Sequence, residues 1–329
     1  MQRYSLALIV AALIIIGGCA SKPVVPEIEG DSKALPTDLQ TKFEVTESSG
    51  LPRPPSPSPT AAAAKKKGKV KEPKGAKTAK VPFSIPNRRV KPEPIWIGEK
   101  TTMEVTYIGL AAGEISMEVL PMKKIADRDV YHFKGMVKSS AVMNLFYRLD
   151  DMIESFWDYE GLFSWRFHMV LDETKQRRDV LELYDPEAKK AFYWNRRNQP
   201  DKPPVESKEY FDMVPFAQDS FTAAYFLRTL PLKDGETYVY PVVSEGKGWD
   251  CVVTVLRRQM MDTPLGRVQT VVVSPQTRYN GVAKQEKGAG TIWLTDDDRR
   301  FIVRLEAKVK IGAVAAQLKK VELGTPPAQ

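Results

Sequence analysis

Only two cysteines, Cys19 and Cys251, and two histidines, His132 and His168, occur among the 329 residues. So few thiols exclude a disulfide scaffold. So few histidines leave little for chemistry that relies on an activated nucleophile or a metal, both of which commonly recruit His. Long apolar runs are equally scarce. There is one, eleven residues at positions 6–16, whereas a polytopic membrane protein needs several runs of about 20. Aromatic residues nearly vanish between positions 20 and 94, where Phe43 and Phe83 stand alone.

That same stretch holds thirteen of the 25 prolines and most of the excess charge. The formal net charge is +8, yet residues 65–91 alone carry eleven Lys or Arg against Glu72. The flanking regions are close to neutral, so the basicity belongs to a tract and not to a folded body. A nucleic-acid reader would carry its charge on a fold with helical or aromatic contacts, and the tract has neither. The composition predicts a disordered, solvated linker over 19–94 and no nucleic-acid partner. As a flexible coil, 75 residues average roughly 45–50 Å end to end.

Ahead of the linker, Met1-Gln2-Arg3 is a short cationic start to the apolar run. Eleven residues are too few to span a bilayer, and the pattern is that of a cleaved secretory signal over 1–18. Ile16-Gly17-Gly18-Cys19-Ala20-Ser21 resembles the lipobox of bacterial lipoproteins. Ile16 and Gly17 stand where that pattern usually has Leu and then Ala or Ser. The resemblance implies that Cys19 receives a thioether diacylglycerol, that the chain is cut before it, and that the new amine is acylated, with palmitate a typical chain. Each buried CH₂ adds about 0.8 kcal/mol, so two or three chains give a lasting membrane anchor where one does not. Ala20 and Ser21 lack the Asp that retains lipoproteins in the inner membrane. The resemblance therefore implies the outer membrane, with the body in the periplasm in preference to the cell surface. Cys251, within alternating strand residues, is expected to be a buried, inert thiol.

From residue 95 the texture changes to period-two alternation with recurring Trp, Tyr and Phe. Strands are predicted at 101–107, 114–119, 128–138, 148–158, 163–171, 177–184, 189–195, 236–243, 249–259, 267–274, 290–295, 301–309 and 313–321. Phe163, Trp165, Phe167, Met169 and Leu171 fall on one face of their strand. Positions 252–256 and 271–273 are apolar on both faces, which predicts cover from both sides. The one convincing helix spans 219–230, with Asp219 or Ser220 as its cap and Pro231 closing it. The reading is mainly β: a large antiparallel rolled or barrel-like sheet with one main helix. The domain is expected to span 95–323, with a disordered tail over 324–329.

Several motifs reach across this body. Val105-Thr106-Tyr107-Ile108-Gly109-Leu110-Ala111-Ala112-Gly113-Glu114 follows Gly98-Glu99, and Asp219-Ser220 precedes Tyr225-Phe226-Leu227-Arg228-Thr229-Leu230-Pro231-Leu232-Lys233-Asp234-Gly235. Thr263-Pro264-Leu265-Gly266 and Trp293-Leu294-Thr295-Asp296-Asp297 come later. In this order they resemble the secreted bacterial domain-of-unknown-function family 3108 over roughly 95–323. One departure is Phe301-Ile302-Val303, where relatives often have a Pro. The resemblance implies a secreted, rolled β domain with no established activity, so no catalytic residues carry over from it.

No H-x-x-x-H, C-x-x-C or H-E-x-x-H occurs, so neither a zinc site nor a cofactor is predicted. Asp296-Asp297-Asp298 lacks the alternate spacing of a calcium loop and reads as a polar hairpin turn. Asp150 and Glu154, on one strand, lie about 13 Å apart, too far for an acid/base pair. The expectation is a protein that is not an enzyme, whose curved sheet offers a groove to a lipid, an acyl chain or a hydrophobic peptide. The alternative is an adaptor that holds cell-wall material or envelope proteins. A hydrolase would require a cleft bringing His132 or His168 beside Ser and Asp.

Overall fold

The structure, a computed structural model, describes residues 35–48, 83–279, 282–284, 290–308 and 312–326. The signal segment, Cys19 and most of the basic tract lie outside the described residues. The elements run α1 (Thr37–Lys42), β1 (Thr46–Glu47), β2 (Ile97–Tyr107), β3 (Leu110–Ile125), β4 (Arg128–Ser139), β5 (Asp150–Asp158), β6 (Ser164–Glu173), β7 (Gln176–Asp185), β8 (Lys190–Asn198) and β9 (Val205–Asp212). Then come α2 (Thr222–Arg228), β10 (Thr237–Ser244), β11 (Lys247–Thr263), β12 (Gly266–Tyr279), β13 (Val282–Lys284), β14 (Thr291–Thr295), β15 (Ile302–Lys308) and β16 (Ala313–Thr325).

The strands form one antiparallel sheet in the order β10-β11-β12-β14-β15-β16-β2-β3-β4-β5-β6-β7-β8-β9, with β1 on β3 and β13 on β12. Successive strands pair almost throughout, because tight turns join them. The exception is the centre, where β16 pairs with β2 from Val314↔Tyr107 to Thr325↔Ile97. The first and last long strands thus weld two meanders into one sheet that ends at β9 and β10, with Gln218 bridged to Val242 along the β10 edge. The sheet is mainly β in the rolled sense that the alternation predicts.

Helix α2 explains the curl. Ala223 and Leu227 pack with Met103, Val253, Val271 and Leu294, while Phe221 and Tyr225 pack with Phe133, Trp157 and Tyr184. A seven-residue helix touches both halves only if the sheet bends around it. The helix covers seven of the twelve residues expected over 219–230, and Asp219 lies three residues ahead of it, its Oδ1 accepting the backbone N–H groups of Phe221 and Thr222, each at 2.7 Å. Ser155 donates to the other carboxylate oxygen, and Ser164 Oγ accepts the Asp219 N–H at 2.8 Å. The cap is therefore bolted to the inner wall at β5 and β6.

Five further sequence expectations change. Trp165 does not share a face with Phe167: the β5–β6 register jumps from Phe156↔Arg166 to Trp157↔Ser164, a bulge that sends Trp165 outward. It joins Phe156, Phe163 and Leu181 on the outer face, while Phe167 stays inside with Trp157. Val271, Val272 and Val273 are covered on both faces, but in β11 only Cys251, Val253 and Val255 are, and Leu256 is exposed. Strand β9 was not predicted, because an edge strand exposed along most of its length shows no apolar alternation. Strand β16 continues to Thr325, two residues into the expected tail.

The last change is the linker. Residues 35–48 and 83–94 were expected to be disordered, yet both pack on the body. Leu35 and Phe43 are buried against Trp165, Phe163 and Trp194, with Leu39 and Val45 alongside. Burying each of the first two contributes about 1.5–3 kcal/mol. Arg88 donates to the carbonyls of Gly161, Leu162 and Phe216 at 2.5, 2.9 and 3.2 Å. The Arg89 guanidinium lies 4.0 Å from the Tyr159 ring centre.

Candidate functional site

The residues with chemical potential divide between the two faces of the sheet. On the outer face His132 Nε2 is 3.3 Å from Glu154 Oε1, and His168 Nε2 is 3.0 Å from Asp179 Oδ1. The hydrogen bond from His132 holds the Glu154 carboxyl below the usual range against its partial burial. Burial pushes Asp179 upward, but His168 and Arg196 outweigh it and its carboxyl also titrates low. On the inner face Ser155, Ser164, Thr222 and Asp219 form a fully buried network. Alternation along β5 and β6 sets these groups on opposite sides of the wall, so no histidine meets a serine there.

The remaining candidates settle individually. Cys251 is fully buried and its thiol is pushed up to about 11 by desolvation, the state of an inert core thiol. Asp297 Oδ1 accepts from Thr295 Oγ1 and from the backbone of Arg299 and Arg300 at 2.7–3.0 Å, closing the β14–β15 turn as expected. Asp151 has a carboxylate neighbour that sequence spacing did not reveal: Glu173, from the end of β6, and not Glu154. Both are buried; burial first and Glu173 second push Asp151 up to about 8. Register alone could have found this pair, since Leu149 bridges Glu173. Among the described residues no group of three His, Cys, Asp or Glu is placed to hold a metal ion, and no helix is long and apolar enough to cross a membrane.

The concave face, expected to be a groove, carries α2. Phe133 and Tyr225 stack with ring centres 3.8 Å apart, and Trp157 and Tyr184 are fully buried around them. A cavity of about 20 Å³ lies beside Arg89, Glu93, Tyr131 and Trp157. That is room for one water and not for an acyl chain.

The most unusual surface is one pole of the sheet. Ile108 and Leu110 flank the β2–β3 turn, and Val142, Leu145 and Phe146 belong to the β4–β5 loop. These five side chains are 60–72% exposed. Ser140 joins the two loops, donating its N–H to Ala112 O at 2.8 Å and its Oγ to Ala111 O at 3.0 Å. Below them Tyr147 donates to Glu173 at 2.8 Å, and Arg148 pairs with Asp150 and Asp172 at 3.1 and 2.9 Å. The turn itself is strained: Ile108 sits at φ 50° and Gly109 at φ 77°. Glycine or asparagine suits such a position, whereas a β-branched side chain is crowded against its own backbone there.

Solved structures that are similar include a β-barrel-like protein of domain of unknown function DUF1849 from Brucella abortus (12% identity, 69% of this chain and 98% of that one, TM-score 0.47). A candidate exported protein with a YmcC-like fold from Bacteroides fragilis matches at 12% identity over 73% of this chain and 99% of its own, TM-score 0.31. A candidate lipoprotein from Parabacteroides distasonis matches at 10% identity over 69% and 95%, TM-score 0.30. No curated protein matches. The model of the protein family of unknown function DUF3108 matches residues 102–319, well over half the sequence, and the chain belongs to that family.

Proposed function

We propose that this protein is an envelope lipoprotein, held in the outer membrane through Cys19, whose body is a noncatalytic docking module in the periplasm. Its apolar pole engages an envelope protein. The observation that carries this reading is Ile108: a large apolar side chain held exposed on a strained turn, with four more exposed apolar side chains at the same pole. Folding alone would favour a small or polar residue there, so the position is occupied for what it touches. The concave face supports docking over storage of a hydrophobic ligand, because α2 and stacked aromatic rings already fill the space beneath it. The lipobox resemblance at Cys19 supports the anchor.

The test places a photo-crosslinking amino acid at position 145 in cells, with position 208 on edge strand β9 as the control. A protein adduct specific to position 145, weakened at least tenfold by Leu110→Asp, is the expected result. If 145 yields no adduct that 208 lacks, the docking reading fails. The anchor is tested separately by palmitate labelling, which Cys19→Ser abolishes if the reading is right.

A further inference from the structure

The segment 35–48 is fastened at the pole opposite the apolar one. Strand β1 pairs Thr46 with Lys124 and Glu47 with Lys123, at the far end of β3 from Leu110. Thirteen strand residues separate these ends, about 45 Å. The fastening is concentrated in few contacts. Phe43 meets Trp165 edge-on with ring centres 6.3 Å apart, Lys42 reaches Asp185 at 2.5 Å, and Ser48 reaches Asp129 at 2.8 Å. Helix α1 buries none of its own six residues and has no side-chain cap. The β1 pairing is two residues long. Such a segment sits at the low end of local stability, because two apolar anchors must offset the ordering of fourteen residues.

We propose that residues 35–48 are a detachable strap that gives the protein a leash of two lengths, an inference that rests on the anchor at Cys19. With the strap docked, sixteen peptide steps join Cys19 to Leu35, which span at most about 60 Å. With the strap released, the next described residue is Phe83, whose ring stacks on Phe216. Sixty-four steps then separate it from Cys19, and the limit rises to about 230 Å. Docking therefore holds the body close to the bilayer, and release lets it travel roughly four times as far. The switch needs no change in the sheet, since the strap lies on the outer face over Trp165, Phe156 and Trp194.

The test uses the full chain with a specific protease site inserted between Ser58 and Pro59 and a capture tag at the C-terminus. After cleavage the N-terminal piece is expected to remain with the captured body. An excess of synthetic peptide spanning residues 33–50 should displace it within minutes, and Phe43→Ala should release it on cleavage alone, with the far-ultraviolet spectrum of the body unchanged. Loss of the wild-type piece on cleavage would overturn the strap. A piece that resists the peptide for days would overturn its detachment. Neither result depends on acylation, so a chain that binds its strap but takes up no palmitate refutes the anchor and not the strap.

Discussion

At the residue scale, two side chains are held against their preferences, and each gives a measurable consequence. Ile108 adopts a left-handed conformation that costs a β-branched residue about 1–2 kcal/mol relative to one that tolerates it. Ile108→Asn is expected to raise stability by about 1 kcal/mol, read as a higher urea midpoint at constant slope. An unchanged or lower midpoint would show that the isoleucine is not strained. Asp151 titrates at about 8 when folded, whereas a free aspartate titrates near 3.9. Between those values the folded chain holds a proton that the unfolded chain has lost. Its contribution to stability is thus complete below about pH 4 and is lost as pH rises through about 8, by up to roughly 1.4 kcal/mol per unit. Glu182, fully buried and pushed up to about 7, acts with the same sign. Urea midpoints measured at pH 5, 6.5 and 8 are expected to fall in the wild type and to fall less steeply in Asp151→Asn. Parallel slopes for the two chains would remove Asp151 from the account.

At the scale of elements, the start of α2 concentrates more buried polar contacts than any other point discussed. Asp219 is fully buried; desolvation raises its pKa even though Ser155 and two backbone N–H groups bond the charged form. Replacing it by Ala removes the cap and leaves Ser155 and two N–H groups unpaired. Asp219→Ala is expected to cost about 2–4 kcal/mol in denaturant unfolding, while Ser220→Ala, next to it, costs under 1. Similar losses for both would mean that the cap is not what positions the helix. This element was legible in the sequence because capping chemistry is local: an Asp followed by a short apolar stretch and a closing Pro. The same locality explains what was not legible. The outward turn of Trp165 depends on how β5 and β6 align, which neither strand specifies alone. The strap was hidden because a Pro-rich average over 75 residues masked Leu35, Leu39 and Phe43, whose spacing of four was the available signal. The pairing of Asp151 with Glu173 required knowing which strand ends meet.

For the whole molecule, the decisive contact is the one between its most distant parts. Strand β16 is central in the sheet although it is last in sequence, and Val314, Ala316 and Leu318 are buried where it meets β15 and β2. Alternation predicted that a strand lies there, and the family resemblance covered it, but neither reveals its neighbour 207 positions away at Tyr107. Until β16 is made, the two meanders share no strand ladder, only the short Gln218–Val242 bridge and isolated bonds such as those of Glu245 to Glu182 and Arg178. The edges of β15 and β2 are then open, apolar on the inner side and prone to pairing with other chains. Such non-local closure makes folding slow, because the loop entropy comes before the contacts that offset it. The position of the strand, and not its length, sets how much its removal matters. A chain ended after Lys308 is therefore expected to aggregate or to lose cooperative unfolding altogether, whereas one ended after Thr325 keeps the wild-type midpoint. If the shorter chain instead melts cooperatively with only a few degrees lost, each meander is a stable unit, and the central seam does not hold the fold together.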